Sequence, residues 1–66
     1  MNGGKKIEES ILKLLKESKN PVSTREIALK INKAWHTIDR HCLKLQLTDE
    51  IEGTRMSNIN FWRIKK

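Results

Sequence analysis

The feature that most constrains this chain is a change of hydrophobic period near Thr48. Before it, apolar residues recur every three or four positions, and after it they alternate. Ile7, Ile11, Leu14, Leu15 and Ser18 share one face of a helix expected over about 5–19, with Glu8, Glu9, Lys13, Lys16 and Glu17 pointing outward. Leu12 falls off that stripe, either partly exposed or part of an interface. Asn20-Pro21 ends the helix, because proline disfavours helical geometry in the residue before it. Ser23-Thr24-Arg25-Glu26 then has the form of a capping box, opening a second helix with Ile27, Ala28 and Ile31 inward. Asn32 suits the sharp turn that follows, since asparagine tolerates the left-handed conformation. A third helix runs over about 34–47 on an inner stripe of Ile38, Cys42 and Leu45.

The alternating stretches 51–56 and 59–64 read as two strands around a Ser57-Asn58 turn. That turn sets Met56 opposite Ile59, Gly53 opposite Trp62, Glu52 opposite Arg63 and Ile51 opposite Ile64. The pairs are physically sensible: one of opposite charge, one aromatic over a glycine, and one apolar pair that closes a core. Val22 supplies a short third strand beside the hairpin. The expected fold class is α+β: a winged helix-turn-helix of three helices, a C-terminal β-hairpin wing and a short strand near Val22. It occupies 5–66, behind a loose tail over 1–4.

Sixty-six residues make one small domain, and a chain of this size buries only about 60% of its unfolded surface. Little room is left for an enclosed active site. Fourteen Lys and Arg against eight Asp and Glu give a net charge of +6, spread along the chain rather than held in one tail. Such a balance favours polyanionic partners, although a solvated lysine-rich surface has the same composition. The single cysteine, Cys42, cannot form an internal disulfide and reads as a small buried hydrophobe in a reducing compartment. No apolar run approaches a membrane span and no signal peptide is visible, so a cytoplasmic protein is expected. His36, His41 and Cys42 do not share a helical face, so no metal site is expected. No nucleophile–base set, carboxylate pair or glycine-rich phosphate loop stands out; neither enzyme activity nor a cofactor is expected.

The segment 23–45 is the stretch whose spacing argues for a function. A helix-turn-helix offers the N-terminal half of its second helix to the major groove, and here that half carries Trp35, His36, Thr37 and Arg40. Arg40 is the leading candidate, because its guanidinium can bond guanine bidentately or clamp a phosphate. Thr37 is placed either to bond a phosphate or to cap the helix, and His36 either to donate to DNA or to stay solvated. Trp35 either covers the turn or lies against a sugar or thymine methyl. Lys44, Lys33 and Arg25 are phosphate candidates. Asp39 is expected to orient Arg40, with acceptance from a cytosine amine as the alternative. In the hairpin, Arg55 and Asn58 are candidates for contact with the backbone or minor groove. Lys65 and Lys66 read as a frayed basic end.

With these residues in place, the chain resembles the winged helix-turn-helix regulators common in archaea and their viruses and plasmids, and is similar to the MarR and ArsR families. The likeness runs from about Lys5 to Lys65. It rests on Ser23-Thr24-Arg25-Glu26-Ile27-Ala28, on Thr37-Ile38-Asp39-Arg40-His41-Cys42-Leu43-Lys44-Leu45, and on Asn60-Phe61-Trp62-Arg63. The resemblance implies that Trp35, His36, Thr37 and Arg40 face DNA. The chain departs from the family at Asn32-Lys33, at Cys42 in place of leucine, and at Leu43 and Leu47 in place of polar residues. The two leucines are either covered by the wing strands or join Leu12 or Phe61 in a homodimer interface. A dimer would suit palindromic half-sites about 34–36 Å apart.

The expected function is sequence-specific binding of double-stranded DNA by a small transcriptional regulator. The alternative is a winged-helix protein–protein interaction module of a replication or transcription complex. RNA binding ranks below both, because only one exposed aromatic could stack bases.

Overall fold

The computed structural model describes residues 3–65. Its elements run α1 (Gly3–Glu17), β1 (Val22–Ser23), α2 (Thr24–Ile31), α3 (Trp35–Leu47), β2 (Ile51–Met56) and β3 (Ile59–Ile64). The strands form one antiparallel sheet in the order β1-β3-β2, a layout compatible with a winged helix.

Each helix boundary has a local cause. α1 begins at Gly3, ahead of the expected Lys5, and stops at Glu17 rather than Lys19. Ser18 closes its last turn by donating through Oγ to the Leu14 carbonyl at 2.8 Å and through its amide to Leu15 at 3.2 Å. That termination precedes Pro21. Met1 and Asn2, half of the expected tail, lie outside the described residues. At α2, the Ser23 hydroxyl accepts from the Glu26 amide at 3.1 Å, which is the serine half of the expected capping box. Asn32 ends that helix in the left-handed region at φ 63°, as its residue type predicts.

α3 ends in a Schellman turn built on Asp49 at φ 65°. The Glu50 amide reaches the Leu45 carbonyl and the Asp49 amide reaches Gln46, both at 3.0 Å. Asp49 and Glu50 therefore end the helix.

The hairpin has the register read from the sequence: Ile51 pairs with Ile64, Glu52 with Arg63, Gly53 with Trp62 and Met56 with Ile59. Ser57 and Asn58 both have positive φ, the geometry a two-residue turn needs to match the strand twist. Val22 pairs with Trp62 and adds the third strand. Gly53 is required by close approach, because a Cβ there would come within 2.6 Å of the Trp62 ring.

The core lies between the helices and the inner sheet face: Ile11, Leu15, Val22, Ile27, Ala28, Ile38, Cys42, Leu45, Ile51 and Trp62. Ile7, Leu12, Leu14, Ile31 and Ile64 pack around it half-buried. Each fully buried aliphatic side chain contributes roughly 1.5–3 kcal/mol, so this cluster holds all three helices against the sheet. Among the described residues, no helix is long and apolar enough to cross a membrane.

Candidate nucleic-acid interface

The packing of α3 decides what it can offer outward. Ile38, Cys42 and Leu45 face the core, so the opposite side of the helix carries His36, Arg40, Leu43 and Leu47 at helical spacing. All four are exposed. Trp35 and Asp39 lie on the flank toward the hairpin, whereas His41 and Lys44 lie on the flank toward α1.

On the hairpin flank, a cleft is lined by Thr24, Arg25, Trp35, Asp39, Arg55, Asn58, Ile59 and Asn60. It gathers Arg25 of α2, Trp35 of α3, and Arg55 and Asn58 of the hairpin beside the start of α3. Trp35 is 62% exposed, so it stands at the cleft rather than being covered, with its ring edge-on to His36 at 5.8 Å between centroids. Arg55 shares the inner sheet face with Trp62 and Asn60 because its register partner is Asn60. That register points it toward α3.

The floor of the cleft is a hydrogen-bonded chain. The buried Trp62 indole donates to Thr24 Oγ1 at 2.8 Å, and Thr24 donates in turn to Asp39 Oδ1 at a long 3.4 Å. Asn60 Nδ2 donates to the same Asp39 oxygen at 3.3 Å. Thr24 is the buried polar residue of the core, and the indole explains why: a tryptophan N–H without a partner in the interior would be costly. Asp39 was expected to orient Arg40. It instead ties α3 to α2 and β3, because its position faces the cleft while Arg40 points away from the core.

The α1 flank carries a second polar cluster. Glu8 Oε2 accepts from His41 Nδ1 at 2.9 Å and meets Lys44 Nζ at 3.5 Å. The His41 hydrogen bond, followed by the Lys44 charge, holds the Glu8 carboxyl below its usual 4.5, with partial burial opposing. Glu8 therefore turns inward, contrary to the expected outward position, since α3 presents it with a donor. Lys44 remains largely exposed but sits beside a carboxylate. Lys33 lies apart, near Lys6, Ile7, Ser10 and Ile31.

Thr37 is half-buried, with its amide bonded to the Ala34 carbonyl at 3.1 Å, and Ala34 supplies no side-chain cap. Lys65 is not frayed: its Nζ meets Asp49 Oδ1 at 3.0 Å and its amide meets the Glu50 carbonyl at 3.2 Å. Lys66 lies outside the described residues.

Of the alternatives for the leucines, cover by the wing strands is excluded. Leu12 is half-buried against the core, whereas Leu43 and Leu47 are 46% and 86% exposed and are not covered by the strands. Leu29, on the outer side of α2, is 73% exposed and was missed in the sequence, where it falls between the inward Ala28 and Ile31. Thr24 was missed too. Its signal was its place at three- and four-residue spacing with Ile27, Ala28 and Ile31, where a hydroxyl needs a buried partner. Cys42 is buried, which raises its thiol to about 12, with the Asp39 charge adding to the effect. It stays a protonated core residue at neutral pH. No group of three or more potential ligands for a metal ion occurs among the described residues.

No protein-family model matches the chain, and no curated protein does so significantly. Among solved structures, the chain is similar to human N-acetylserotonin methyltransferase in complex with SAM, at a TM-score of 0.81 and 14% identity. The match covers 96% of this chain but only 18% of that one, so the likeness is one of fold and extends to a small part of the methyltransferase chain.

Proposed function

We propose that the chain is a winged-helix protein that binds double-stranded DNA, with α3 in the major groove and the β2–β3 hairpin as the wing. The observation that carries this reading is the cleft that brings Arg25, Trp35, Arg55 and Asn58 together beside a helix whose open side carries His36 and Arg40. A helix held along one stripe and open along the other has the shape a major groove accepts. Two arginines on separate elements beside it supply phosphate contacts that fix its register. The net charge of +6 supplies attraction independent of sequence. A small transcriptional regulator is the role that fits such a domain.

A second reading has its own observation. Leu43 and Leu47 lie on the same open side of α3 as Arg40, and apolar surface there favours a protein partner or a second copy of the chain. A gel shift with mixed genomic duplexes, run beside a sizing column, separates the two. DNA binding predicts a shifted band that weakens steeply with added salt. No shift at low salt, together with a stable complex with another protein, would favour the interaction module.

A further inference from the structure

Asp39 is a carboxylate at the floor of a cleft that is otherwise cationic, flanked by Arg25 and Arg55. A carboxylate facing a polyanion is repulsive unless it meets a donor there. Its Oδ1 faces two donors at long range, Asn60 Nδ2 at 3.3 Å and Thr24 Oγ1 at 3.4 Å, and Thr24 is itself anchored to the buried Trp62 indole at 2.8 Å. Its Oδ2 makes no hydrogen bond among the described residues. These contacts bias the side chain toward one orientation, with an acceptor left over in a cleft that opens beside α3.

We propose that Asp39 is a base-discriminating residue, whose Oδ2 accepts a hydrogen bond from the exocyclic amine of a cytosine presented at the major-groove edge. Cytosine is the base that fits best. Its N4 amine is a lone donor on that edge, which a carboxylate can accept, whereas guanine offers two acceptors there and would be repelled. Adenine pairs its amine with the neighbouring N7 acceptor, which disfavours a carboxylate and suits an amide side chain instead. Thr24, Asn60 and Trp62 act as positioning residues: they bias the rotamer so that the contact forms with less ordering of the side chain. This inference rests on the duplex-binding reading and narrows it to one base.

The test begins by selecting bound duplexes from a random pool with the full chain, and then with Asp39→Asn. The parent should enrich cytosine at one position. The variant should lose that preference while keeping its other preferences and its salt dependence, with its melting curve showing that it is folded. The second arm leaves the protein unaltered. Placing N4-methylcytosine at the selected position keeps the Watson–Crick pair but removes the outward N–H, and should weaken parent binding about tenfold. It should leave Asp39→Ala binding unchanged. Equal cytosine preference in parent and Asp39→Asn, or equal parent affinity for methylated and unmethylated duplexes, would overturn the proposal while leaving DNA binding intact. Failure of the parent to bind any duplex would overturn the duplex-binding reading and this inference together.

Discussion

On its flank toward the sheet, α3 is fastened through Asp39, which meets Thr24 and Asn60 and, through Thr24, the buried indole of Trp62. On its flank toward α1 it is fastened through His41 and Lys44, which meet Glu8. The first is a neutral-to-charged chain that starts inside the core. The second is a charged cluster open to water on one side. The two should differ in cost when broken, because the indole at the root of the first is buried, whereas Glu8 and His41 keep 17% and 20% of their side chains exposed and Lys44 keeps 69%, so water replaces part of what is lost. The difference also assigns work: the sheet flank shapes the cleft, and the α1 flank ties α3 to α1.

The largest effect is expected at the root of the first flank. Trp62→Ala should cost about 3–5 kcal/mol by opening a cavity, against a total stability on the order of 3–10 kcal/mol for a chain of this length. Calorimetry should find its melting temperature far below the parent's. Thr24→Val keeps the shape but removes the hydroxyl. It should cost about 1–3 kcal/mol by leaving the indole N–H unpartnered, seen as a lower denaturant midpoint. A cost no larger than that at Glu8 would mean that the two flanks do not differ.

The smallest effect belongs to Glu8→Gln, about 1 kcal/mol or less at neutral pH for a partly open ion pair. Its pH dependence carries more information than its size. The folded Glu8 carboxyl lies below its ordinary value of 4.5 because of His41 and then Lys44. Its contribution is therefore present above about 4.5 and lost as pH falls through the lower folded value. Acid titrations of parent and Glu8→Gln should converge below that range and separate above it. Parallel curves throughout would contradict the assignment.

These two flanks also show what could be read from the sequence. The helices follow from the spacing of Ile11, Leu15, Ile27, Ile38, Cys42 and Leu45, and the full hairpin register follows from a turn at Ser57-Asn58. Both are local patterns, where a neighbour a few residues away decides the outcome. The polar flanks are not local. Thr24, Asp39 and Trp62 are joined across 15 and 38 positions, and Glu8 and His41 across 33. Nothing in a helical period says which carboxylate will find which donor: adjacency alone pairs Asp39 with Arg40, and the stripe alone turns Glu8 to water, whereas the fold gives each a distant partner. Of the expected interface, Arg25, Trp35, Arg55 and Asn58 share one cleft. Lys44 lies beside Glu8 and Lys33 on another surface, because helix phase and strand register, not charge, decide where a side chain ends up.

In the proposed function, the open side of α3 meets DNA through Arg40. The direct measurement is a fluorescence titration of parent and Arg40→Ala against a duplex selected by the parent, at two salt concentrations. Loss of one base or phosphate contact predicts weaker binding by about 1–3 kcal/mol, with the melting temperature unchanged because Arg40 is exposed. An Arg40→Ala protein that binds the selected duplex as tightly as the parent would contradict the account.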